Sequence, residues 1–186
     1  PLRQRARYYR EGIPVVTPSV RRTPPWAFSP RAKTHNYLNL ILGDMEVQAV
    51  APGAWAILLD ENGNLAEGLG SNIFLVRDGA LFTPRERYVL PGISRQTVME
   101  LARGLGLPVE ERDMDLYDAY GADEAFLTST SLCVCGVVSV NSHGIRDGKV
   151  PGPVTARLLQ AYSDLVGLDI AAQYLAHLGE APPRPF

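Results

Sequence analysis

The chain has 186 residues, 46% of them hydrophobic and 20% charged, with a formal net charge of −2. That length supports one well-cored domain or two small ones, and the weak negative charge gives a nucleic-acid partner no electrostatic support. No apolar run approaches the roughly 20 residues of a membrane span, the opening PLRQRARYYR lacks the apolar core of a secretory signal, and the close pair Cys133 and Cys135 makes no disulfide framework, so a cytoplasmic protein is expected.

In chain order, GIPVVTPSVRR (12–22) reads as a strand carried by Ile13, Val15, Val16 and Val20. TPPWAFSPRA is too proline-rich for a helix or a central strand. From Asn36 to about Val50, the positions Leu38, Ile41, Leu42, Met45 and Ala49 recur at helical spacing and predict a buried helix face. AWAILLD (54–60) is a buried strand, and Asp60 to Gly63 is a turn. SNIFLVR (71–77) and ALFT are strands joined at Asp78-Gly79, a strong hairpin signal. Leu90-Pro91-Gly92 breaks the chain, and Ser94 suits the N-cap of a helix whose stripe is Val98, Leu101, Ala102 and Leu105, ending at Gly106. LPVEER (107–112) is a short strand, a helical or irregular piece reaches Ala122, and EAFLTST (124–130) and CVCGVVSV are further strands. Asp147-Gly148 turns again. After GPVT, Val154, Leu158, Leu159 and Tyr162 predict a terminal helix, and the tail APPRPF is irregular.

Hairpins between the helices argue against a doubly wound parallel sheet. The expectation is an α+β domain around a mixed, largely antiparallel sheet. The Gly-x-Gly of EGLGSN is followed by a strand, where a dinucleotide fold needs a helix. Two thiols without a histidine pattern do not make a metal site.

The lysine count bears on chemistry. Lys33 and Lys149 are the only lysines, against sixteen arginines. Lysine can lose its proton and act as a nucleophile where arginine cannot. Lys33 precedes the first helix in Lys33-Thr34-His35-Asn36-Tyr37. Three further segments stand out: Glu67-Gly68-Leu69-Gly70-Ser71-Asn72, Leu90-Pro91-Gly92-Ile93-Ser94-Arg95, and Ser129-Thr130-Ser131 at a strand end.

In order and spacing these four segments, with the later Gly-Pro-Val-Thr, resemble the class IV aminotransferases, the pyridoxal 5′-phosphate family of branched-chain and D-amino-acid aminotransferases and aminodeoxychorismate lyase. The resemblance runs from about Gly12 to the GPVT helix. It implies a pseudo-barrel fold like the large domain of those enzymes. It also implies a division into a linker remnant (1–11), a cofactor-binding large domain (12–178) and a tail (179–186), with the family's small N-terminal domain missing.

The same resemblance assigns roles. Lys33 is the catalytic residue that bonds the cofactor as a Schiff base, which requires a neutral amine and hence desolvation or nearby positive charge. Glu67 holds a proton on the pyridine nitrogen, which makes the ring an electron sink. Ile93 and Ser94, at a helix start, match the phosphate cup, with Ser94 where many relatives have threonine. Thr130 matches a second phosphate-binding hydroxyl, Tyr37 a tyrosine that bonds the cofactor's phenolic oxygen, and Ser131 a residue near the substrate carboxylate. Cys133 and Cys135 read as small buried residues near the pocket, and Arg95 as a structural partner at the helix start.

The implied partners are an amino acid, branched-chain as the first expectation, and a 2-oxo acid, in a full-length homodimer without nucleic acid or membrane. D-amino acids or (R)-amines, lyase chemistry that releases pyruvate, and a non-catalytic fragment are the alternatives. Where many relatives have proline after an acidic or apolar residue, this chain has Gly136, which leaves the substrate-side loop open.

Overall fold

A computed structural model describes residues 2–179. The chain begins with two single helical turns, α1 (Leu2–Arg5) and α2 (Tyr8–Glu11). This stretch was expected to be linker, yet Ala6, Tyr8 and Tyr9 are buried. Its two tyrosines supply the reason. Tyr9 stacks on Tyr174, with ring centroids 4.4 Å apart, and its hydroxyl donates to the Leu132 carbonyl. Of the expected tail, residues 180–186 lie outside the described residues.

Strand β1 (Ile13–Val16) is much shorter than the expected 12–22. Side chains replace the ladder beyond it: Asn141 accepts the Thr17 N–H at 2.8 Å and Glu46 accepts the Ser19 N–H at 2.6 Å. An irregular segment then leads past Lys33 to α3 (Leu38–Val50). β2 (Trp55–Leu59), β3 (Leu65–Gly68), β4 (Asn72–Arg77) and β5 (Ala80–Thr83) follow. β3 is absent from the sequence reading because Glu67 and Gly68 are poor strand formers. The Asp78-Gly79 hairpin forms as expected, with φ of 52° and 75° at the two turn residues, the left-handed pair that a tight hairpin demands.

Next come α4 (Ile93–Gly104), β6 (Val109–Glu111), α5 (Leu116–Tyr120), β7 (Glu124–Ser129), β8 (Cys133–Val140), β9 (His143–Gly144), α6 (Pro153–Val166) and α7 (Ile170–Leu175). α5 carries a capping box built by Asp115 and Asp118. The structure moves the N-cap of α4 from Ser94 to Gly92. Ser94 lies further in, within the first turn, and is buried.

The sheet closes on itself. In the order β3-β2-β1-β8-β7-β4, neighbours pair, and β3 also pairs with β4. The closing register is Glu67↔Asn72. β1 runs parallel to both of its neighbours, β2 and β8, while the other ladders of the ring are antiparallel. This is the expected mixed α+β pseudo-barrel. β5 and β6 extend the sheet from the far half of β4. Phe74 and Phe126, both fully buried, stack at 4.9 Å in the main core.

The expected face of α3 is a correction. Leu38, Ile41, Leu42 and Met45 are 42–63% exposed, while Leu40, Gly43 and Val47 are buried. The helix is apolar on nearly every side, so periodicity alone selected the wrong stripe. Gly43 decides the orientation, because a Cβ there would lie 2.8 Å from Leu58 Cδ1. Among the described residues no helix is long and apolar enough to cross a membrane.

The GPVT segment has a structural purpose. Buried Glu124, at the start of β7, accepts the N–H groups of Val154 and Thr155 at 2.8 Å each and the Thr155 hydroxyl at 2.7 Å. A carboxylate at a helix N-terminus complements both its free amides and its dipole. Gly152 makes room, since a Cβ there would sit 2.3 Å from Glu124 Cδ. Glu124→Ala is expected to lower stability by about 1.5–3 kcal/mol, and Thr155→Val, which removes one hydroxyl bond, by about 1 kcal/mol. Urea denaturation checks both, and the reverse order of effects would remove Glu124 from this role.

Candidate active site

One pocket of about 330 Å³ gathers Lys33, Tyr37, Glu67, Ile93, Ser94 and Thr130 from separate stretches of the chain. The volume suits a small-molecule ligand. Lys33 comes from the irregular segment before α3 and donates to the Tyr37 hydroxyl at 3.3 Å. Both residues precede the first turn of α3, with Tyr37 at its N-cap. Lys33 is exposed, so burial does not provide the desolvation that the sequence argument called for. Arg22 and Arg31 line the same pocket, paired with Glu67 at 2.9 Å and with Glu86 at 3.2 Å.

Glu67 is the last but one residue of β3 and is 5% exposed. One carboxylate oxygen takes the Arg22 Nε–H at 2.9 Å, and the other takes the Leu90 N–H at 2.9 Å. Burial pushes its carboxyl above the usual range, opposed by the Arg22 charge, the Leu90 N–H and, more weakly, Lys33. Each oxygen keeps a lone pair for a further donor.

Asn72, opposite Glu67 in the closing ladder, donates to the Leu90 carbonyl at 2.9 Å. Leu90 is therefore held at both its N–H and its carbonyl by the two residues that close the barrel. Gly92 is what permits this. A Cβ there would lie 2.4 Å from Asn72 Oδ1. The result is to aim the start of α4 into the pocket.

No side chain caps that start. The first backbone bond from the helix is Gln96 N–H to the Gly92 carbonyl at 3.0 Å, which leaves the amides of Ile93, Ser94 and Arg95 without an intrahelical acceptor. Twelve residues of helix put positive potential there. Ser94 Oγ accepts the Tyr162 hydroxyl at 3.5 Å. Two other pocket-lining hydroxyls, Ser71 Oγ and Thr128 Oγ1, are buried without a partner. Buried orphaned hydroxyls and uncapped amides lining one pocket are a donor set for an anionic oxygen cluster.

The remaining assignments fall elsewhere. Ser131 does not line this pocket: its hydroxyl receives Arg5 and lies 3.3 Å from Ser129 Oγ. Cys133 and Cys135 also lie outside it. Burial raises both thiols, Cys135 to about 12, which keeps them protonated at neutral pH. Arg95 is a structural residue, as expected: 2% exposed, it bonds the Pro84 carbonyl at 2.9 Å and pairs with Glu111 at 3.0 Å. The sequence reading missed Arg22 and Asn72. No spacing rule links Arg22 to a glutamate 45 positions away, whereas Asn72 was already inside a quoted motif.

A family model described as Amino-transferase class IV matches residues 1–140. The branched-chain-amino-acid aminotransferase of Pseudomonas aeruginosa is 39% identical over 159 residues, covering 84% of this chain and 51% of the relative. The crystal structure of an Escherichia coli branched-chain amino acid aminotransferase superposes with a TM-score of 0.79 at 37% identity, covering 83% of this chain and 51% of that one. A second crystal structure under the same enzyme name, from T.th. and solved with pyridoxamine 5′-phosphate, gives 0.79 at 36% identity, covering 84% and 52%. The chain spans about half the length of the curated relatives it matches.

Arg22→Gln isolates the buried pair. Glu67 has a raised folded-state pKa, so its contribution to stability is fully present at low pH and is lost as pH rises through the folded value. Removing Arg22 raises that value further. The variant is expected to be less stable by about 3–5 kcal/mol at neutral pH, with the deficit shrinking as pH falls toward ~4.3. Denaturation at a series of pH values measures this, and a deficit that does not change with pH would reduce Arg22 to a packing role.

Proposed function

The chain belongs to the class IV aminotransferase family, and from that premise we propose that its pocket binds pyridoxal 5′-phosphate and that the protein transfers an amino group between an amino acid and a 2-oxo acid. The observation that carries this reading is the meeting, in one pocket, of a lysine, a buried carboxylate, an uncapped helix N-terminus and orphaned hydroxyls. Those groups fit the cofactor's carbonyl, ring nitrogen and phosphate respectively. The pyridoxamine 5′-phosphate in the second structural neighbour supports the same choice.

When bound, the cofactor supplies a carbonyl that condenses with amines and a conjugated ring that takes up electron density from the substrate. With the cofactor held there, Lys33 Nζ would anchor it at its carbonyl and, as a free amine, would serve as the base that moves the proton at the substrate Cα. Tyr37, already bonded to Lys33, orients the lysine and bonds the phenolic oxygen. Glu67 holds a proton on the ring nitrogen. Arg22 favours the ionised carboxylate that this task needs. The amides of Ile93 and Ser94, the Ser94 hydroxyl and Thr130 hold the phosphate. The donor leaves as a 2-oxo acid and the acceptor 2-oxo acid leaves as an amino acid, so no external oxidant enters the cycle.

The names of the relatives support branched-chain amino acids as donors. By the family resemblance we further propose a full-length homodimer working in the cytoplasm, with residues 12–178 as its cofactor-binding domain.

Borohydride reduction of full-length protein incubated with the cofactor should fix one adduct on Lys33, read by peptide mass spectrometry. Lys33→Ala should lose roughly 10²–10⁴-fold or more of the transfer rate. Lys149, exposed and paired with Asp147 at 3.4 Å, should tolerate alanine. Equal losses for the two variants, or an adduct elsewhere, would sink the reading.

A further inference from the structure

A second pocket of about 290 Å³ lies on the other side of the Leu69–Gly70 turn, and these two residues line both pockets. Two aromatic residues, Tyr8 and Trp55, form part of its wall. Tyr8 meets Trp55 edge to face, with centroids 5.9 Å apart. Arg5 also lines it, half-buried, with its guanidinium 5.3 Å from the centroid of the Trp55 ring. Among the described residues no carboxylate lies within ion-pair distance of Arg5. Its hydrogen-bond partner is a neutral hydroxyl, Ser131 Oγ. That hydroxyl adjoins Ser129, which with Thr130 forms part of the first pocket's wall.

We propose that this second pocket is a carboxylate-binding extension of the active site and that Arg5 is its specificity-determining residue. The inference rests on the amino-transfer reading, since it concerns a carboxylate of the amino acid or 2-oxo acid. Arginine presents a planar fork that matches a carboxylate with two parallel bonds. The indole face holds the fork in place and excludes water from one side, which strengthens the attraction. Ser131 keeps the guanidinium near the shared wall, so Ser131 is a positioning residue that acts through Arg5. Asp44 lines the same pocket. Its negative charge opposes an anion, which leaves Arg5 as the group that attracts the carboxylate.

Two carboxylates are candidates: the one every amino acid shares, and the second one of a dicarboxylic acid. Full-length protein, Arg5→Gln and Arg5→Lys are compared in two ways. Calorimetry measures the Kd of glutarate, an unreactive dicarboxylate, and of 4-methylvalerate, an unreactive monocarboxylate. Steady-state kinetics measures KM for 2-oxoglutarate and for 4-methyl-2-oxopentanoate. Arg5→Gln is expected to weaken binding by roughly tenfold or more, and Arg5→Lys, which keeps the charge but not the fork, by less. Loss confined to the dicarboxylates assigns Arg5 to the distal carboxylate, and loss in both classes assigns it to the shared one.

Unchanged Kd and KM in the variants, with transfer intact, overturn the inference and leave the amino-transfer reading standing. Glutarate binding that depends on Arg5, in a protein that transfers no amino group, does the reverse. If Arg5→Gln does not fold, as judged by circular dichroism, Arg5→Lys decides, and binding equal to that of the native protein counts against the proposal.

Discussion

The structure depends on how its barrel is closed. Strands β3 and β4 meet at the single register Glu67↔Asn72, and the side chains of those two residues take hold of one residue, Leu90, from its N–H and carbonyl sides. Closure of the sheet, placement of the carboxylate and direction of α4 are thus one event. A shift of the register by one residue would turn both side chains to the other face. The glycines of this region follow from the same crowding. Gly68 lies against the Ala56 carbonyl and Ser71, and Gly92 against Asn72, at distances no Cβ tolerates.

Charge in the pocket is arranged by opposition. Burial works against ionisation of Glu67, and Arg22 works for it. A carboxylate left without its arginine would take up a proton more readily and would then compete as a donor, where the proposed chemistry needs an acceptor. Lys33 stands apart from this buried pair. It is exposed and held by Tyr37, so the group proposed to react has freedom to move while the groups proposed to hold the ring do not.

Much of this was legible in the sequence, for identifiable reasons. The Asp78-Gly79 hairpin, the central strands and the position of α6 follow from local chemistry. The residues Lys33, Tyr37, Glu67, Ile93, Ser94 and Thr130 were legible through the order of four motifs, and the fold brings them into one pocket. What remained hidden is long-range. Arg22, Asn72 and Arg5 owe their places to partners 45, 18 and 126 positions away, which no local pattern encodes. The face of α3 was misread because a helix with apolar residues on nearly every side gives periodicity little to discriminate. β3 was missed because pairing on both edges, rather than propensity, makes it a strand. Ser131 was assigned from its neighbour in a motif, while in the turn between β7 and β8 its hydroxyl meets Arg5.

Helix α6 contributes no residue to the first pocket, yet it ties two of that pocket's walls together. Glu124 fixes its first turn to the strand that ends in Ser129, and Tyr162, two turns along, reaches Ser94 in α4. It works as a crossbeam. Its ends set the separation between the hydroxyl at the strand end and the amides at the helix start, and hence the width of the gap an anion must bridge. The matched family region stops at residue 140, before this helix begins, so the gauge of the site is set by a part of the chain outside that region, of which only the opening Gly-Pro-Val-Thr entered the motif comparison.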